Sequence, residues 1–269
     1  MDFLFVSIKK MEMKRFFLLA ISILFFSPFH STANDSIPAG AKAILKAYPQ
    51  TVISYKNNRL YFKDGSSIIY DDSIENKNYK NLVDHPSVKN QFVYTYTKGS
   101  APKSIPYLFD PGRIRNEDFF KKMYGATSYA VQKNLVEIIW CPALLNKKIK
   151  VTKINGADKA LQKVSQELDK HPELKVFLQD IGGTFNWRPI KGTQRLSTHS
   201  YGIAIDINTN KSDYWQWNCK CANEENKMIY SNKIPQIIID IFEKNGFIWG
   251  GKWYHYDTMH FEYRPELLQ

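Results

Sequence analysis

The chain has 269 residues, 43% of them hydrophobic and 23% charged, and its 37 Lys and Arg against 26 Asp and Glu give a net charge of +11. That length admits one large domain or two small ones, and three cysteines do not define a disulfide scaffold. The basic balance suits anionic partners such as envelope polymers, and the lack of any recognised nucleic-acid motif argues against nucleic acid as that partner.

The first feature in chain order is a leader. Met13-Lys14-Arg15 precedes the apolar run FFLLAISILFF (16–26), then Pro28 and the small residues Ser31-Thr32-Ala33. A basic n-region, a short h-region and an A-x-A-like cleavage site read as a secretory signal. The run is shorter than the roughly 20 apolar residues of a membrane span. Residues 1–33 are therefore expected to be removed, leaving an exported chain, periplasmic or secreted, with no integral membrane segment. Loss of Lys9, Lys10, Lys14 and Arg15 with Asp2 and Glu12 would leave it at +9.

Residues 34–105 are expected to form a β-rich region. Within TVISYKNNRLYFKDGSSIIYDD (51–72), three β-prone runs are separated by Asn57-Asn58 and Asp64-Gly65, both favourable turn pairs, which predicts a meander. The Gly, Ser and Pro of KGSAPKSIP (98–106) mark a linker, and residues 106–269 are expected to be a second domain. There the pattern turns helical. Ala157, Leu161, Val164 and Leu168 recur at spacings of four, three and four. Residues 232–245 carry Pro235 near a helix start, the stripe Ile234, Ile238, Ile241 and Phe242, and Gly246 as the stop. Cys141, Cys219 and Cys221 suit an oxidising compartment. A Cys219–Cys221 bridge would close a very tight ring, so Cys141 is expected to pair with one of them; a three-thiolate zinc site lacks a fourth ligand at a familiar spacing.

The chemistry concentrates in two stretches. In RLSTHSYGIAID (195–206), alternation puts Ile203, Ile205 and Ile207 on one strand face and Gly202, Ala204 and Asp206 on the other. The isoleucine face is core, and the small-residue face is a floor ending in a carboxylate. The polar turn Ser197–Tyr201 lets His199 fold toward Asp206. In YHYDTMHFEY (254–263), a strand over Met259–Tyr263 points His260 and Glu262 one way and Phe261 and Tyr263 the other. Asp257 lies three residues before His260. Two imidazoles and a carboxylate make a three-ligand zinc set with a fourth position open, the pattern of catalytic sites. A carboxylate that is not a ligand can then serve as general base.

Ser197, His199, Gly202, Ala204 and Asp206 resemble the S-x-H-x-x-G-x-A-x-D motif of the LAS metallopeptidases, and D-x-x-H-F-E (257–262) is similar to that family's second motif. The resemblance spans roughly residues 180–265. It implies an α+β fold, in which a small antiparallel sheet carrying the zinc site packs against helices, as in the hedgehog and D-alanyl-D-alanine peptidase fold. It also implies that His199, Asp206 and His260 bind Zn2+, that Asp257 is the catalytic carboxylate, and that Arg188 in FNWRP steadies the oxyanion. Ser197 and His255 would contact substrate, and Glu262 would orient His260. Singly, each of these residues has an ordinary structural explanation. Jointly, their spacing favours the metal site.

The implied substrate is the peptidoglycan stem peptide, cut either between L-Ala and D-Glu or at terminal D-Ala, and GFIWGGKW (246–253) resembles the endopeptidase branch. The contrasting reading is a catalytically silent wall-binding module on the same fold. Oligomeric state is left open by these residues.

Overall fold

A computed structural model describes residues 36–219 and 228–268. The leader and Cys221 lie outside them. Near the amino end of the described chain, β1 (Val52–Lys56), β2 (Arg59–Phe62) and β3 (Ser67–Ile69) form the antiparallel meander that the turn pairs predict. Asn57 and Asn58 both take positive φ (49° and 56°), as a primed hairpin turn requires, and Gly65 sits at +82°. The helix Ala39–Ala47 packs Ala41 and Ile44 onto this sheet, where Val52, Leu60 and Phe62 are also buried.

A second antiparallel pair, β4 (Leu135–Trp140) and β5 (Lys147–Thr152), packs on the helix Ala157–Leu168, whose buried face is the predicted Ala157, Leu161, Val164 and Leu168. The helix Gln236–Lys244 begins after Pro235 and stops before Gly246, which takes φ +91°. Ile234 precedes this helix and is buried, while Ile238, Ile241 and Phe242 face the core.

The remaining sheet holds the motif residues. Its spatial order is β6 (Ile181–Gly183), β7 (Ala204–Asn208), β9 (His260–Tyr263) and β8 (Phe247–Trp249), with every pairing antiparallel. Ile205, Ile207 and Phe261 close one face against the helices, with Phe261 stacked on Phe242 at 3.8 Å between ring centres. The opposite face carries Ala204, Asp206, His260 and Glu262. The architecture is thus α+β, with helices and small antiparallel sheets mixed along the chain.

Ile37–Gln269 is one compact unit. Side chains from both sides of residue 105 share a core cluster, in which Val52 and Leu60 join Tyr201 and Ile203. The Tyr48 hydroxyl donates to Glu266. Among the described residues no helix is long and apolar enough to cross a membrane. The cysteine expectation is corrected: Cys141 is a free, buried thiol, and Cys219 is disulfide-bonded without it. Cys141 points its thiol at the Ser165 carbonyl inside the core, beyond any bridge.

Candidate metal centre

The β7/β9 register sets Asp206 directly opposite His260 and Ala204 opposite Glu262. Directly opposed residues of an antiparallel pair share a face with Cβ atoms about 5 Å apart. His199 arrives from the short 3-10 turn Thr198–Tyr201, entered through Ser197, whose Oγ accepts the His199 backbone N–H at 3.4 Å. The preceding segment staples this turn. The Arg188 carbonyl accepts the Ser197 N–H (3.1 Å), and the Asn186 N–H reaches the His199 carbonyl (3.1 Å). Gly202 ends the turn at φ +66°, where a Cβ would come within 2.6 Å of Leu135 Cδ2. Glycine at this motif position is therefore required by both conformation and space.

One donor atom from each of His199, Asp206 and His260 lies within 4.8 Å of the other two. His199 Nε2 is 3.1 Å from Asp206 Oδ1 and 3.3 Å from His260 Nδ1, and His260 Nδ1 is 2.9 Å from Asp206 Oδ1. The far nitrogens are already engaged. His199 Nδ1 donates to the Thr184 carbonyl at 2.9 Å, and His260 Nε2 faces Glu262 Oε2 at 3.4 Å and Thr198 Oγ1 at 3.3 Å. With those nitrogens as donors, and a metal in place of the protons that the inner nitrogens otherwise share with Asp206, lone pairs on His199 Nε2 and His260 Nδ1 would converge with the Asp206 carboxylate. That set of two imidazole nitrogens and one oxygen fits zinc, and a hydrogen bond on the outer nitrogen of each ligating imidazole is the usual means of orienting it.

Glu262 is fully buried and held by two guanidiniums, Arg264 Nη1 at 3.2 Å and Arg115 Nη1 at 3.5 Å. Burial alone would raise its carboxyl, but Arg115, the His260 hydrogen bond and Arg264 outweigh burial and hold it at about 2. Burial likewise opposes charge on Asp206, yet the two imidazoles keep it ionised far below the usual carboxylate range. Asp257 shifts the other way. Burial and the Asp206 charge raise it above that range, against the opposing pull of His260, His199 and Arg113. Its Oδ1 is buried and accepts no hydrogen bond among the described residues. The Asp257 main chain is fixed by its N–H on the Gly250 carbonyl (3.0 Å) and by its own carbonyl accepting the His260 N–H (3.2 Å).

The other expected site residues fall elsewhere. Arg188 is exposed, and its Nη1 donates to the Pro189 carbonyl at 3.3 Å, so its anchoring to the turn is through the main chain. Ser197 is buried as the cap of the His199 turn. His255 is 1% exposed and sits in the wall, paired with Asp110. The tryptophans of GFIWGGKW are core: the Trp249 indole donates to the Thr258 carbonyl (2.9 Å) and that of Trp253 to the Pro111 carbonyl (2.5 Å). That sequence therefore fixes the fold around Asp257 rather than forming an open pocket wall. Asp110, Arg113 and Arg115 carry no motif signal, and only their clustering in space reveals them. An open cleft of about 1010 Å³ has walls that include Tyr79, Lys80, Lys191, Arg195 and Trp215.

Residues 191–263 match a family model described as D-alanyl-D-alanine carboxypeptidase. This segment is of the LAS peptidase type. It takes in His199, Asp206, Asp257, His260 and Glu262, and leaves out Arg188, Asp110, Arg113 and Arg115. No curated protein and no solved structure matches the chain.

Proposed function

We propose that the protein is an exported zinc peptidase that hydrolyses peptidoglycan stem peptides. The observation that carries this reading is the convergence of three metal-donor atoms, with outer nitrogens already hydrogen-bonded, beside a carboxylate whose buried oxygen has no partner. His199, Asp206 and His260 would hold the metal. Zinc bound there supplies a Lewis acid that brings the pKa of water to roughly 7. Asp257 takes the proton of the attacking water, a role that favours a carboxyl raised toward neutrality. Arg188, whose exposed guanidinium donates to the Pro189 carbonyl, is assigned the developing oxyanion.

The substrate class is supported by the family description and by charge. An open cleft lined by Tyr79 and Trp215, which both pack on His255, carries Lys80, Lys191 and Arg195, of which Lys80 and Arg195 pair with Asp84; its basic balance suits peptides rich in free carboxylates. Removal of terminal D-Ala is the activity named for the matching family, and cleavage between L-Ala and D-Glu is the competing specificity. Digestion of defined muropeptides, with and without a zinc chelator, followed by mass analysis of the products, tests all of this. Chelator-sensitive loss of D-Ala, or scission that leaves L-Ala on the sugar and frees the peptide beginning at D-Glu, supports the peptidase and identifies the bond. Binding to muropeptides without any product would establish the silent wall-binding module instead.

A further inference from the structure

Phe109–Gly112 lies outside the matched segment and runs as a strap along the loop that leads into Asp257. Its contacts are consecutive. The Pro111 carbonyl accepts the Trp253 indole N–H (2.5 Å), the Phe109 carbonyl accepts the Tyr254 backbone N–H (2.8 Å), and Asp110 Oδ1 accepts the His255 backbone N–H (3.0 Å). Asp110 Oδ2 then takes the His255 ring N–H at Nδ1 (2.6 Å), the Tyr79 hydroxyl (2.5 Å) and Arg113 Nη1 (3.2 Å). Both side chains of the Asp110–His255 pair are wholly buried. Tyr79 stacks on the His255 ring at 5.8 Å, and Trp215 meets it edge-on at 4.9 Å. A buried carboxylate that grips one residue through both backbone and ring restrains that residue's rotation as well as its place.

We propose that Asp110 is a positioning residue: by fixing His255 it holds the 253–257 loop and sets the approach of the Asp257 carboxylate to the metal group. The inference rests on the reading of Asp257 as the general base. Asp257 lies two residues beyond the grip, its Oδ1 makes no hydrogen bond of its own, and its place is set by main-chain bonds alone: its own to the Gly250 carbonyl and the His260 N–H, and those of Tyr256 and Thr258 to Trp215 and Asp213. Its aim is therefore inherited from the loop. Displacements of about 1 Å at a reacting group can lower turnover by about a hundredfold, so loosening the grip acts on kcat rather than on substrate affinity.

The test uses the full chain with Asp110→Asn, which keeps shape without charge, and Asp110→Ala. Expected are a fall in kcat of about tenfold or more, a KM within about twofold, unchanged zinc content, and faster hydrogen exchange at the amides of residues 253–257. In an Asp257→Asn background the same substitutions should lower residual kcat no further, because Asp110 acts through the base. An unchanged kcat, unchanged exchange, an equal proportional loss in the Asp257→Asn background, or an Asp110→Asn variant that does not fold would each overturn the inference. Should the unsubstituted protein cleave no muropeptide, the peptidase reading fails, and the exchange of those amides alone decides whether Asp110 holds the loop.

Discussion

Glu262→Gln separates the orientation of His260 from the mere presence of the ligands. The glutamate is fully buried between Arg264 Nη1 (3.2 Å), Arg115 Nη1 (3.5 Å) and His260 Nε2 (3.4 Å). Gln keeps the shape and removes the charge, leaving Arg115 with no other carboxylate partner among the described residues. Removing one partner of a buried ion pair is destabilising by about 3–5 kcal/mol. For a domain of this size each kcal/mol moves Tm by about 2–4 °C, so a fall of roughly 6–20 °C is expected in metal-free protein. The amide can also present a donor to His260 Nε2, which favours the tautomer with its hydrogen on Nδ1 and removes the lone pair that faces Asp206. Loss of such an orienting partner weakens metal binding by about 10- to 100-fold. Thermal unfolding of the apo protein and zinc titration against a competing chelator measure the two effects separately. A Tm within 2 °C of the unsubstituted protein, together with a zinc Kd within about twofold, would refute the reasoning.

Three further outcomes follow from other parts of the fold. Gly202→Ala forces a Cβ into a φ of +66° and to 2.6 Å from Leu135 Cδ2; a loss of about 1–3 kcal/mol, read as a lower urea midpoint, is expected, and an unchanged midpoint would show that the turn relaxes freely. Cys141 is buried, and burial first, then Asp169, pushes its thiol up to about 12; iodoacetamide should leave it unmodified in the native protein and label it after unfolding, as mass spectrometry would show. Burial would raise Asp110, but Arg113 and the His255 hydrogen bond lead the effects that hold it at about 2. A carboxyl lowered in the folded state stabilises above its unfolded pKa and loses that contribution as pH falls through the folded value. The stability advantage of the unsubstituted protein over Asp110→Asn should therefore shrink by about 2 kcal/mol between pH 6 and pH 2, and a constant difference in urea unfolding would contradict this.

What could be read from sequence was whatever depends on neighbours in the chain. The alternation of Ile205 and Ile207 with Ala204 and Asp206 marks a strand whose isoleucines enter the core, although Gly202 and Ile203 precede that strand and Ile203 packs with Tyr201 in the other core cluster; the turn pairs Asn57-Asn58 and Asp64-Gly65 mark the meander by their tolerance of positive φ. The helix Glu117–Tyr124 also carries local signals: Asn116 caps it by accepting the Phe119 N–H, and Glu117 and Asp118 occupy its first turn. Strand β6 is three residues long with two glycines, too short and too weak in propensity to announce itself. Asp110 meets His255 across 145 positions, and Arg115 meets Glu262 across a similar distance in the chain. Neither pair has a periodicity to betray it. The cysteine expectation failed for a related reason: ring size says nothing about Cys141, which the β4 strand end places inside the core against Ser165.

The two aspartates nearest the metal group illustrate how one residue type can be divided between two tasks. Asp206 lies in the strand register opposite His260 and within hydrogen-bond reach of both imidazoles, so burial is outweighed and the carboxylate stays charged. Asp257 has no such partner at Oδ1, and the fixed negative charge of Asp206 adds to its burial, so the same chemical group is pushed toward neutrality. A permanently ionised oxygen suits a metal ligand, whereas a carboxyl that exchanges its proton near neutral pH suits an acid or base. The roles are not interchangeable even though the side chains are identical, because moving the ligand to residue 257 would take the carboxylate off the strand face that the histidines share. If Asp257 is the base, the spacing D-x-x-H would place a proton acceptor beside the candidate ligands without making it one of them, its main chain held by the Gly250 carbonyl and the His260 N–H.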